Sequence, residues 1–250
     1  MLTFRLVTKV RLNMKKTKKF KQDRKLWFRG LKQLIKIRYK RPKFIYLGDK
    51  PINCSVILSN HVGTDAPMSL ELYADFPLRL WGTGEMNSGL VKLYRYQTRV
   101  YYHIKKGWNL HLARLFCILA SPLTNLFYKG LKLISTYPDF RFKDTIKESI
   151  KVLKNNENIV IFPEKTEGKY KDKLDEFYKG FVLLGEKCLK EGIDLSIYPA
   201  YFKIKEKVYL FDKPILFSKL KNDFNSREEI CNYLVSRCNN LGKVDLNKIS

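Results

Sequence analysis

The sequence is short of acid, of chain breakers and of any cysteine pattern. Only 24 of its 250 residues are Asp or Glu, against 49 Lys or Arg, and the formal net charge of +25 is too large to be a by-product of surface solvation. An anionic partner is implied. With 9 Pro and 13 Gly beside 45% apolar and 14% aromatic residues, disordered and fibrous classes are excluded, and one substantial core is expected. Cys54, Cys117, Cys188, Cys231 and Cys238 are odd in number and contain no Cys-x-x-Cys, so they read as reduced packing residues rather than a disulfide framework or zinc site. The first residues hold Arg5, Lys9 and Arg11 without an apolar run, which argues against a cleaved signal peptide. The longest uncharged stretch of the middle, Leu115 to Tyr128, contains Pro122 and Asn125 and falls short of the roughly 20 residues that cross a bilayer. It reads as a core helix or as a segment dipping into the lipid interface. Gly-x-Ser-x-Gly and His-Glu-x-x-His are both missing, so no nucleophile elbow and no metal site are expected. The glycine-rich run Gly82–Gly89 lacks the Gly-Lys-Ser/Thr ending of a phosphate loop and reads as a turn.

The charge that is present sits at one end. Residues 1–50 carry 18 basic and 2 acidic side chains. Within them Leu26, Trp27, Leu31, Leu34, Ile35 and Tyr39 recur at helical spacing between Lys25, Arg29, Lys32 and Lys36, which predicts a basic amphipathic helix ending at Pro42. Such a helix either lies in an anionic headgroup plane or packs on its own domain. After it, Ser55–Ser59 and Asn158–Phe162 read as buried strands, with a helix through Ile146, Ile150 and Leu153 that stops at Asn155-Asn156. A helix around Glu176–Lys190, a strand near Leu195–Phe202, a strand pair across Val208–Phe217 restricted by Pro214, and a last helix capped by Ser226 with Glu229 complete the pattern. The alternation predicts an α/β fold: a single domain with a central, mostly parallel sheet flanked by helices, residues 46–250, behind a basic segment 1–45. In such sheets ligands bind beyond the carboxyl ends of the strands. Asn60-His61 and Pro163-Glu164 both stand at such ends.

Of the three histidines, His61 alone follows a strand and has a carboxylate, Asp65, one helical turn later. If a helix starts there, Asp65 orients the imidazole and the free ring nitrogen serves as a general base. The second cluster is Phe162-Pro163-Glu164-Lys165-Thr166-Glu167. Together these segments resemble the lysophospholipid and glycerolphosphate acyltransferases, whose first motif is Asn-His followed by Asp and whose third is Phe-Pro-Glu-Gly-Thr-Arg after an apolar strand. In the same order, Phe177-Tyr178-Lys179-Gly180 resembles the opening of the helix after the third motif. Tyr198-Pro199-Ala200 is similar to the family's Val-Pro-Val, and Asp212-Lys213-Pro214-Ile215 to its Gly-Lys-Pro-Ile. The departures are three residues rather than four between His61 and Asp65, Lys165 and Glu167 in place of the third motif's Gly and Arg, and no Arg after Gly130–Ile134. A carboxylate where the family binds phosphate repels it; Lys165 or Arg141 are the nearest substitutes.

The resemblance implies a membrane-associated O-acyltransferase, peripheral on the cytoplasmic face. It would move a fatty acyl group from acyl-CoA or acyl carrier protein, as co-substrate rather than cofactor, to a lysophospholipid hydroxyl. It implies His61 and Asp65 as catalytic residues, and Asn60, Glu164, Lys165 and Thr166 as substrate-binding ones. The partners implied are an anionic membrane surface, a lysolipid acceptor and the acyl carrier. An esterase or phospholipase on the same fold, and a non-catalytic lipid-binding relative, are the alternatives. Tyr94, Tyr96, Tyr101 and Tyr102 among Arg95 and Arg99 could stack on bases, but no nucleic-acid motif accompanies them, and they read as the flank of a helix at an interface. Nucleic acid is not an expected partner.

Overall fold

The structure, a computed structural model, describes residues 24–165 and 173–248. Most of the basic start, residues 1–23, lies outside the described residues, as do Thr166 and Glu167.

The strands are β1 (Lys43–Tyr46), β2 (Ser55–Ser59), β3 (Leu78–Thr83), β4 (Ile134–Thr136), β5 (Asn158–Ile161), β6 (Ser196–Lys203), β7 (Val208–Phe211) and β8 (Ile215–Leu216). They form one sheet in the order β1-β7-β6-β2-β5-β3-β4, with β8 beside β6. Only the pairings of β6 with β7 and β8 are antiparallel. The domain is therefore α/β with a mixed, mostly parallel sheet. β2 and β5 are buried at every residue, because helices cover both faces of the central strands and no alternation of polar and apolar side chains is needed. Asn158 fixes where these strands start: its Oδ1 accepts from the Ser55 amide at 3.1 Å and its Nδ2 donates to the Pro77 carbonyl at 2.8 Å.

One face is covered by α6 (Phe142–Lys154), α7 (Gly180–Lys190), α8 (Phe217–Asp223) and α9 (Arg227–Lys243), which place Ile150, Phe181, Phe217 and Leu234 on Val56 and Ile159. The other face meets α2 (Asp65–Tyr73), whose Ala66 and Leu70 pack with Ile57, Val160 and Tyr209. The cap of α9 is as the sequence predicts, with Ser226 Oγ accepting from the Glu229 amide at 3.1 Å. The helix expected from Glu176 begins only at Gly180, since Glu164 bridges Phe177 in an antiparallel pair and the Tyr178 amide donates to the Pro163 carbonyl at 2.8 Å. Gly82–Gly89 is not a turn. Trp81, Gly82 and Thr83 pair with β4, and the chain then enters the short helices α3 (Gly84–Asn87) and α4 (Leu90–Tyr96).

A nine-residue π-helix, Gln97–Lys105, continues α4 and hands the chain to α5 (Leu110–Leu131). The expectation of an apolar segment too short to cross a bilayer does not hold. The uncharged run is extended at both ends into a 22-residue helix, about 33 Å at 1.5 Å per residue, long and apolar enough to cross a membrane. Nor is it a core helix. Only Ala113, Cys117, Ser121, Gly130 and Leu131 are buried, and the first three, one turn apart, lie on a single face. Ser121 Oγ donates to Gln97 Oε1 at 2.7 Å on the π-helix. Leu115, Ile118, Leu119 and Leu123 stay 60–78% exposed.

The helix α1 (Leu26–Arg38) crosses α5 where Gly130 has no side chain, because a Cβ there would lie 2.0 Å from the fully buried ring of Phe28. Its buried residues are Phe28 and Lys32, while Leu26, Trp27, Leu34 and Ile37 of the same helix are exposed. Glu71 explains the burial of a lysine. This carboxylate on α2 is 1% exposed and takes a bidentate contact from Arg24, at 3.1 and 2.9 Å, and a further one from Lys32 Nζ at 2.9 Å. Burial lowers the Lys32 pKa and the Glu71 charge opposes that. Removing one partner of such a cluster strands buried charge. Glu71→Ala is expected to lower unfolding free energy by about 3–5 kcal/mol, measured by urea denaturation; a loss below 1 kcal/mol would show that the cluster does not fasten α1.

Candidate active site

β2 and β5 are parallel neighbours, with Val56, Ile57 and Leu58 opposite Ile159, Val160 and Ile161, so the loops that follow them leave from the same edge. The first loop carries Asn60, His61 and Asp65, and the second carries Phe162 and Glu164. They touch. Glu164 Oε1 accepts a hydrogen bond from the His61 backbone amide at 2.9 Å, and the rings of His61 and Phe162 meet edge to face at 5.0 Å.

Asn60 is fully buried, and its side chain acts as an extra backbone unit for β6. Oδ1 accepts from the Phe202 amide at 2.7 Å and Nδ2 donates to the Phe202 carbonyl at 3.1 Å. Ser59 Oγ joins it at 3.2 Å and is in turn bonded by Tyr209. Asn60 thus fixes the point at which the chain leaves the sheet, one residue before His61. The next step is strained. Val62 has φ +43° and Gly63 φ +64°, consecutive left-handed residues, and for a β-branched residue that is a true outlier. The chain so turns directly into α2, whose first residue is Asp65. The Asp65 carboxylate is 3.7 Å from the Lys207 ammonium. Thr64 ties the turn to its surroundings, with Tyr39 3.0 Å from its hydroxyl and Tyr101 of the π-helix also bonded to it.

The electrostatics follow from burial. The imidazole of His61 is pushed down to about 4, first by loss of water and then by the Lys105 ammonium, against a hydrogen bond with the Gly63 backbone. It is a neutral ring at pH 7. Glu164 is pushed up to about 7, again mainly by burial, while the His61 amide and Lys105 pull the other way. Its second oxygen is buried without a hydrogen-bond partner among the described residues. A neutral imidazole beside a carboxyl that titrates near neutrality is an arrangement that accepts and returns protons.

Of the other residues expected here, Lys165 turns away and pairs with Glu176 at 3.0 Å, through a side chain that is half exposed. Thr166 lies outside the described residues. Arg141, the other substitute cation, makes a bidentate pair with Asp139, two residues before it. Sequence reasoning missed Lys105 and Lys106. Lys105 acts electrostatically on both His61 and Glu164, and the Lys106 Nζ lies 3.4 Å from where a Cβ of Gly63 would stand. No local spacing announces them, because only the π-helix and its contact with the His61 turn bring them near.

No protein-family model matches this sequence, and no curated protein does. Among solved structures, the chain is similar to an acyltransferase. That structure is the 1-acyl-sn-glycerophosphate (LPA) acyltransferase PlsC from Thermotoga maritima, with 12% identity over 87% of this chain and 77% of that one and a TM-score of 0.49.

The raised Glu164 value has a thermodynamic consequence. Between its ordinary value of 4.5 and about 7 the folded chain holds a proton that the unfolded chain has lost, so the group's contribution to stability falls as pH rises through that window. Glu164→Gln keeps an acceptor for the His61 amide and has no charge to bury. The variant is expected to match the wild type near pH 4.5 and to exceed it by on the order of 1–2 kcal/mol at pH 8, read from thermal melts at both pH values. A gap that shrinks with rising pH would contradict the burial argument.

Proposed function

We propose that this protein is a membrane-associated O-acyltransferase that moves a fatty acyl group from a thioester, acyl-CoA or acyl carrier protein, to a hydroxyl of a lysophospholipid. The observation that carries the reading is the 2.9 Å bond between the His61 amide and Glu164, which joins the two chemistry-bearing loops at one sheet edge. The ordered sequence motifs around those two residues supply the reaction class. The neutral imidazole of His61 takes the proton of the acceptor hydroxyl as its oxygen attacks the thioester carbon. The carbon–sulfur bond then breaks, and the thiolate leaves with the proton returned by the imidazolium. Glu164 and Asn60 hold the histidine loop; the resemblance, rather than a contact, assigns Asp65 to the transient cation and Lys165 and Thr166 to the acceptor. No covalent enzyme intermediate is involved.

The lipid part of the reading is supported by an exposed apolar surface on two adjacent helices. Leu26, Trp27, Leu34 and Ile37 of α1 and Leu115, Leu119 and Leu123 of α5 are all 42–84% exposed, and a lone soluble domain gains nothing from such a surface. Arg29 and Lys36 stand between the α1 residues and Lys25 and Arg38 flank them, as an anionic headgroup layer favours. These features support contact with a membrane; the peripheral position on its cytoplasmic face is our proposal from the resemblance.

In a thiol-release assay with a lysolipid and acyl-CoA, His61→Ala is expected to lose roughly 10²- to 10⁴-fold in kcat with an unchanged melting temperature; full turnover in this variant would end the assignment. Free fatty acid released from intact phospholipid with no acyl donor would instead mark a hydrolase. Replacing Leu115, Leu119 and Leu123 together by Ser is expected to abolish sedimentation with anionic vesicles while the fold survives, since the three side chains are 68–78% exposed. Unaltered sedimentation would move the membrane contact elsewhere.

A further inference from the structure

The end of the π-helix places two ammonium groups where a base has to work. Lys105 closes the π-helix and Lys106 caps it, with its amide bonded to the Tyr101 carbonyl at 3.0 Å. The chain then reverses at Gly107, φ +71°, where the Gly107 and Trp108 amides bond back to His103 and Tyr102. The two lysines are thus carried by a closed turn rather than a loose loop. The Lys106 ammonium lies 5.8 Å from the centre of the Tyr101 ring and against the Gly63 backbone, and Lys105 is partly buried beside Glu164.

The charge balance of this spot is uneven. The groups facing it are Lys105 and Lys106 from the π-helix, Glu164 from the loop after β5, and Asp65 from α2, which is already opposite Lys207. Lys106 makes no ion pair among the described residues, and Lys165 and Arg141 are engaged with Glu176 and Asp139. Cations gathered around a partly buried histidine oppose its becoming an imidazolium, so for a general base they are a handicap unless an anion joins them. The surroundings indicate which anion. Exposed Ile104, Trp108 and Leu112 flank the lysines, an apolar rim beside a cationic centre.

We propose that Lys105 and Lys106 bind a phosphate group of one of the two substrates at the mouth of the His61 pocket. This deepens the acyltransferase reading and rests on it for the identity of the substrates. The bound phosphate offsets the ammonium charge beside His61, so that substrate binding strengthens the base that the same substrate needs. Phosphate is carried both by a phosphorylated lysolipid acceptor and by the nucleotide end of acyl-CoA, and the chemistry at the two lysines is the same for either.

The test uses the full chain with the double variants K105Q/K106Q and K105R/K106R, and with K187Q/K190Q on α7 as a control that removes the same net charge elsewhere. Acceptors are lysophosphatidate and the matching monoacylglycerol; donors are palmitoyl-CoA and palmitoyl-pantetheine, which lacks the nucleotide phosphates. The Gln variant is expected to raise KM by roughly ten- to hundredfold for the phosphorylated member of one pair and to leave its phosphate-free counterpart unchanged. The Arg variant should restore most of the loss, and the control should lose nothing. An effect that follows the acceptor assigns the headgroup, and one that follows the donor assigns the nucleotide. Equal KM for the Gln variant and the wild type with every substrate overturns the proposal while leaving acyl transfer intact. If the wild type transfers no acyl group, calorimetric titration with glycerol 3-phosphate decides separately: binding that weakens at least tenfold in K105Q/K106Q upholds the anion site, and equal or undetectable binding overturns it.

Discussion

A backbone amide on one loop and a carboxylate on another hold the candidate site, and that bond exists only because β2 and β5 run in the same direction side by side. Both strands are covered on both faces, so no solvent edge tells either which way its side chains should point. Their register is instead fixed at the start by Asn158 and at the exit by Asn60, each using an amide side chain to imitate the main chain. A slip of one residue would swap Ile57 and Leu58 between two differently shaped cores and carry His61 away from Glu164. Core packing and chemistry are thus set by the same pairing.

The strands β2, β5, β6 and β7 and the capped last helix were legible because their signals are local, whereas β1, β3 and β4 were not. Short apolar runs, Val56–Leu58 and Ile159–Phe162, mark buried parallel strands, and Ser226 with Glu229 marks a helix start. The meeting of His61 and Glu164 was also foreseeable, since residues at the carboxyl ends of neighbouring parallel strands share an edge. What sequence left hidden depends on contacts between distant segments. The late start of α7 follows from the bridge between Glu164 and Phe177. Lys32 looked like a member of a solvated basic face, and the carboxylate that buries it stands on a helix whose own pattern gives no notice of it. The exposure of α5 was hidden for a related reason: an apolar helix reads alike whether its leucines meet protein or nothing.

One side of the domain reverses the usual placement of residues. Charged groups are inside, in the Arg24, Glu71 and Lys32 cluster, while leucines, isoleucine and tryptophan on α1 and α5 face outward. The two features serve each other. A helix that turns its apolar residues outward has little left with which to bury itself, and the ion cluster, together with Phe28 seated on Gly130, fastens it in place.

The π-helix adds a consequence about chain length. A helix of this wider kind arises where one surplus residue is absorbed without breaking the coil. Losing a single residue between Gln97 and Lys105 would remove the surplus that the wider coil takes up and shift the residues inside the segment by one position. The small residues Ala113, Cys117 and Ser121 hold the following helix by one face, so the change would fall on the segment itself. The orientation of the two lysines is therefore written in a count of residues more than in their identities, and a relative one residue shorter here would aim different side chains at the histidine.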